Sequence, residues 1–193
     1  MTSRDKLSAE DWFQAGISSL VTDGPTGLKL GRLADHLGVT TGSFYWHFSG
    51  VDDFHRRMLD FWSSRDTTQT AQDAKHDDDP LRRLEQLIED RHLLEVDEAI
   101  RRWARSNEDA ARAIERIDRM RHMRVAQILK GMGLDSDTAA RQAQIMVWTA
   151  VKSLGAPMAW RHEVLRELVD LLENAANARS TAKAQRSGSG GGV

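Results

Sequence analysis

Residues 30–48 read LGRLADHLGVTTGSFYWHF, and this stretch decides the fold. Leu30, Leu33, Ala34 and Leu37 recur at helical spacing, so the first half predicts a short helix with one apolar face. Gly38 stands where that helix must stop, because a residue without a Cβ enters the left-handed conformation at little cost. Val39 then turns back toward the core. Thr40 suits the N-cap of a second short helix, its hydroxyl accepting an orphan backbone N–H. Phe44 and Phe48, four residues apart, are expected to bury together, which leaves Gly42, Ser43, Tyr45, Trp46 and His47 on the outer face. Helix, tight turn and second helix make the layout of a helix-turn-helix. Ser43, Tyr45 and His47 can donate to phosphate oxygens, and Trp46 can touch bases or sugars. Gly42 would let the backbone approach a groove wall. The same spacing also suits a helical hairpin with no nucleic-acid role.

Upstream, Ser8 followed by Asp11 resembles a capping box with the shorter acid, and Leu7 is placed to pack on Trp12. A first helix over about 8–22 then buries Trp12, Phe13, Ile17 and Leu20. Gly24-Pro25-Thr26-Gly27 is a turn. A helix over about 51–65 carries Phe54, Met58, Leu59, Phe61 and Trp62. Residues 66–79 are polar and without periodicity, and read as a loop or frayed helix end. Asp79-Pro80 predicts a helix start, with Leu81, Leu84, Leu87 and Ile88 behind it. Further helices are expected over about 97–105, 107–130, 136–154 and 160–178. Residues 179–193, ending in SGSGGGV, are expected to be disordered.

The 193 residues suit one medium domain or a small domain sharing a core with a larger one. Cysteine is absent, which excludes disulfides, thiolate metal sites and Cys nucleophiles. No apolar run reaches membrane-spanning length, and no charged-then-apolar leader opens the chain, so a cytoplasmic protein without membrane contact is expected. Three prolines and a single tyrosine suit an all-α chain. The formal net charge is −2. Residues 1–62 alone hold six Lys/Arg against eight Asp/Glu, an acidic balance for a region that would meet DNA.

The run A-x-x-x-G-V-T-x-G-S-F-Y-x-H-F, from Ala34 to Phe48, resembles the signature of the TetR family of bacterial transcription regulators. The resemblance covers the N-terminal third specifically and the rest in helical layout and length. It implies an all-α fold of about nine helices. A three-helix helix-turn-helix domain (1–50) would be joined by a connecting helix (51–66) to a helical ligand-binding and dimerisation domain (67–178), with the tail at 179–193. Carried over, the DNA-facing positions are Thr40, Thr41, Gly42, Tyr45 and His47, with Trp46 tuning sequence preference. Two departures bear on affinity. The family usually has a Lys where this chain has Val51, and residues 38–50 contain no Lys or Arg. Phosphate neutralisation supplies much of DNA affinity, so a weak or strongly dimer-dependent binder is expected. Arg4, Lys6 and Lys29 are the candidate compensating charges. The backbone N–H groups around Gly50 could hold a phosphate, opposed by Asp52 and Asp53.

Toward the C-terminus, Ala139, Ala143, Met146, Val147, Ala150, Val151 and Leu154 make one wide apolar stripe. Val164, Leu165, Leu168, Val169, Leu171 and Leu172 make another. These stripes suit intrachain packing or a four-helix bundle with a partner. The resemblance implies a homodimer through the helices at about 136–154 and 160–178, reading a palindromic site on double-stranded DNA. It also implies a small-molecule effector, with Trp103, Met120, Met123 and Trp148 as candidate lining and no cofactor. Met and Trp suit an adaptable apolar cavity, and equally an ordinary core. Arg112, Arg116, Arg119, Arg121 and Arg124 crowd one helix and could meet an acidic ligand or pair with Glu115 and Asp118.

An enzyme is not indicated. There is no Ser-His-acid or paired-carboxylate constellation and no phosphate-cradling Gly loop, and the seven histidines lack metal-ligand spacing. His76-Asp77-Asp78-Asp79 reads as a solvated charge run. The expectation is a ligand-responsive repressor. Its rival is a helical interaction protein or co-regulator on the same scaffold with little DNA affinity.

Overall fold

The computed structural model describes residues 7–73, 82, 91–152 and 156–188. Among these, all regular structure is helical. In order come α1 (Ala9–Asp23), a 3₁₀ segment (Gly24–Leu28), α2 (Leu30–Leu37), α3 (Thr41–Phe44) and α4 (Val51–Asp73). Then follow α5 (Arg91–Ala104), α6 (Glu108–Gly131), α7 (Ser136–Lys152) and α8 (Met158–Gly188). The chain divides into two compact units. Met1–Gln69 and Arg91–Ile117 form one, and Thr70–Asp90 and Asp118–Val193 form the other.

The first unit is built around α1. Ser8 Oγ accepts the Asp11 N–H at 3.2 Å, and the Asp11 carboxylate accepts the Ser8 N–H at 2.7 Å, closing the capping box. That backbone bond, with the Ser8 hydroxyl, holds the Asp11 carboxyl below its ordinary value. Trp12 and Leu20 are fully buried. Gly16 lets α4 come close. A Cβ there would lie 2.6 Å from Met58 Sδ and 2.8 Å from the Phe54 ring.

Helix α2 stops as its sequence demands. Gly38 takes φ 65°, ψ 33°, while the Val39 N–H returns to the Ala34 carbonyl and the Gly38 N–H to that of Asp35. This pair of bonds is a Schellman stop. Helix α3 is a single turn. Thr40 has the extended backbone of an N-cap, but its hydroxyl caps nothing. Its carbonyl instead accepts the Ser43 N–H at 3.0 Å, which is enough to close so short a helix.

The second unit packs α6, α7 and α8. Its core holds Val125, Ile128, Leu129, Leu134, Ala139, Ala143, Met146, Val147, Val169 and Leu172. A second Schellman stop ends α6, with Gly133 at φ 91° and the Leu134 N–H on the Leu129 carbonyl. Asp135 accepts the Thr138 N–H at 2.9 Å and starts α7. His122 Nε2 lies 2.9 Å from the Ala140 carbonyl, joining α6 to α7.

Three helices run longer than their sequence suggests. Helix α4 continues through 66–73, since DTTQTAQD is polar but contains no Gly or Pro to stop it. Helix α5 begins at Arg91 rather than near 97. Helix α8 continues to Gly188, past residue 178 and into the stretch expected to be disordered, because no Gly or Pro interrupts 158–187 and its Ala, Arg, Lys and Gln favour helix. The helix expected behind Asp79-Pro80 lies outside the described residues, as do Arg4, Lys6 and the last five residues.

Candidate nucleic-acid interface

The turn at residues 41–48 is anchored by aromatics. Phe44 is fully buried and Phe48 is 3% exposed, with ring centroids 4.9 Å apart. Trp12 of α1 meets Phe44 edge-on at 5.4 Å, and Phe54 of α4 packs against both Phe44 and Phe48 at 5.6 and 5.2 Å. Two helices, α1 and α4, therefore fix the inner side of residues 41–48. Edge-to-face rings at these separations add specific attraction to the burial.

The outer side is bare. Trp46 is 88% exposed and Tyr45 61%. Thr40, Thr41, Gly42 and Lys29 are exposed, while Ser43 and His47 are half-buried. Hydroxyl, indole and imidazole groups thus project together from one rigid turn. Such a set can donate to phosphate oxygens and touch base edges.

The strand of chain leaving the turn is held from α4. Arg57 Nη1 donates to the His47 carbonyl at 2.7 Å, and the guanidinium carbon lies 5.0 Å from the Phe48 ring centroid and 5.8 Å from that of Phe13. Asp53, one turn earlier, accepts the Ser49 N–H at 3.0 Å and lies 4.0 Å from Arg57. The acid expected only to oppose a phosphate therefore has a backbone partner of its own. Arg57 escapes sequence reasoning. Its visible signal is the i, i+4 spacing from Asp53, which is common on any helix. Val51 is 36% exposed at the start of α4.

The effector candidates fall in both units. Trp103 belongs to the first unit, is 4% exposed and meets His55 edge-on at 4.8 Å. Met120, Met123 and Trp148 belong to the second unit. Met120 is half-buried, whereas Met123 and Trp148 are each 62% exposed on the surface of the chain. Burial pushes the His55 imidazole below its ordinary 6.5, against the opposing pull of Asp52 and Asp109. Its Nε2 and the Trp12 and Trp62 indole N–H groups have no hydrogen-bond partner among the described residues.

Solved structures share this architecture. A transcriptional regulator from Rhodococcus sp. Rha1 superposes with a TM-score of 0.69 at 18% identity, over 88% of this chain and 96% of its own. A TetR transcription regulator from Haloarcula marismortui gives 0.66 at 19% identity, over 88% and 96%. The chain has their fold. No family model and no curated protein matches its sequence. Among the described residues, no helix is long and apolar enough to cross a membrane, and no three metal-ligating side chains gather.

Proposed function

We propose that this chain is a cytoplasmic DNA-binding transcription regulator of the TetR type and not an enzyme. The observation that carries this reading is the bare Tyr45-Trp46-His47 turn, whose flanking Phe44 and Phe48 are locked in the core. Lys29, Thr40, Thr41, Gly42, Ser43, Tyr45, Trp46 and His47 form the DNA-facing set. The fold shared with solved regulators over 88% of the chain supports it.

One short reading helix contacts few bases, so two are needed, about 34–36 Å apart on a palindrome. The homodimer forms through α7 and α8. Ile145, Trp148, Trp160 and Leu171 on these helices are 47–62% exposed in the single chain, an apolar excess that a partner would cover. The regulator acts as a repressor. A small, largely apolar molecule releases it by binding better to a conformation whose reading heads are wrongly spaced. A coupling of roughly 1–3 kcal/mol suffices for such a response. Trp103, Met120, Met123 and Trp148 are the residues assigned to the effector.

The test is binding to DNA from immediately upstream of the gene, against scrambled DNA, at two salt concentrations. Specific binding that weakens steeply with salt supports the regulator. Binding no better than to scrambled DNA, together with salt-insensitive binding to a protein partner, supports a helical co-regulator instead. The absence of Lys and Arg from residues 38–50 favours that second reading.

A further inference from the structure

We propose that Arg57 is a positioning residue for the DNA-reading turn, acting through the His47 backbone rather than on DNA itself. The inference rests on the regulator reading. The turn carries its outward side chains at 45–47, and its inner side is fixed by Phe44 and Phe48. That packing fixes the Phe48 ring, and the His47 carbonyl one residue earlier needs a partner of its own. Arg57 supplies it. Its guanidinium donates to the His47 carbonyl at 2.7 Å, ten residues away in sequence. A hydrogen bond from a charged donor is about twice as strong as a neutral one.

The donor is itself held. It lies over the Phe48 ring, 5.0 Å from its centroid, so turn and clamp share one aromatic anchor. Asp53 lies 4.0 Å from Arg57 and binds the Ser49 N–H, so adjacent turns of α4 grip residues 47 and 49. Residue 48 between them is buried. The segment from His47 to Ser49 is thereby tied to α4 at three successive residues. A movement of α4 would pass to the orientation of His47 and its neighbours. A 1 Å misplacement of a recognition group is costly even when no contact is deleted.

Two substitutions separate the parts. Arg57→Met keeps a long unbranched side chain and removes the guanidinium that donates to His47 and lies over Phe48. Arg57→Lys keeps a charged donor. Backbone amide shifts of residues 45–49, melting temperature and affinity for a DNA site selected from a random pool are measured for each, the last across salt. Arg57→Met is expected to move those amides and weaken binding about tenfold, because the released turn holds its binding orientation for a smaller fraction of the time. Its melting temperature should fall by only a few degrees, the cost of one partly exposed bond, and its salt slope should be unchanged. Arg57→Lys should recover most of both the shifts and the affinity.

Unmoved amides in Arg57→Met overturn the proposal. So does a salt slope smaller by about 1, which would mean that Arg57 contacts a phosphate directly. Equal affinity of Arg57→Met and wild type for the selected site overturns the proposal alone. A wild-type protein that selects no sequence overturns the regulator reading and the proposal with it.

Discussion

Phe44 and Tyr45 are chain neighbours with rings 5.4 Å apart at 88°, yet Phe44 is fully buried and Tyr45 is 61% exposed. One peptide unit therefore separates the residue that holds the reading turn from one that can use it. Substitutions at the two should part company. Phe44→Ala deletes a ring touching Trp12, Phe48 and Phe54, and should cost roughly 3–5 kcal/mol of stability. Tyr45→Ala and His47→Ala should each weaken DNA binding while leaving melting nearly unchanged, Tyr45→Ala within about 0.5 kcal/mol. Unchanged binding in both would remove the case for this turn as the reader.

The chemistry of the turn restricts what it can read. Residues 38–50 contain no Arg, Lys, Asn, Gln, Asp or Glu, the side chains that make bidentate contacts to G or A or accept from C. What remains exposed is hydroxyl, imidazole and the 88% exposed Trp46. If Trp46 reads bases, its ring can make apolar contact with thymine methyl groups beside any donation from the indole N–H. Replacing dT by dU in the half-site should cost roughly 0.8 kcal/mol per methyl buried, roughly fourfold in affinity. Trp46→Ala should lose the sensitivity. Equal binding to both DNAs by wild type would assign recognition to other groups.

The apolar surface of α7 and α8 predicts the mass in solution. The chain is 21.7 kDa, and light scattering at micromolar concentration should give twice that. Trp148→Glu and Leu171→Lys each place a charge on an exposed apolar position of these helices, where a monomer loses nothing by it. The double variant should shift the mass to that of one chain with helicity unchanged. A wild-type monomer would contradict the dimer directly.

Gly38→Ala tests the stop of α2. The residue sits at φ 65°, and a Cβ there meets nothing within 4 Å, so the only cost is conformational. Roughly 1–2 kcal/mol of stability should be lost, read by denaturant unfolding. A neutral result would mean that the turn accommodates a different stop.

Local signals were legible because their cause is local. Ser8 with Asp11, Gly38 after Leu37, and Phe44 with Phe48 each act within one helical turn, and each is found where its spacing places it. Polar segments misled for a physical reason. DTTQTAQD at 66–73 and the stretch beyond 178 lack apolar periodicity, but a helix already under way needs only the absence of a breaker. Thr40 misled in the opposite sense, since a one-turn helix closes on its carbonyl. The bond from Arg57 to His47 bridges ten residues across a turn, where no period reports it. Nor does residue type separate core from surface for Met and Trp, and Met123 and Trp148 are each 62% exposed.

His55 makes the acid side of stability predictable. Burial beside Trp103 lowers its pKa from 6.5, while Asp52 and Asp109 pull the other way. A histidine whose folded pKa lies below its unfolded value binds its proton first in the unfolded chain. Stability is then full above the unfolded pKa and falls as pH drops through it, levelling only below the folded value. Melting temperature should therefore decline as the pH falls below about 6.5. His55→Leu removes the titrating group and should make that decline shallower. A decline of the same size in the variant would place the acid sensitivity on other groups.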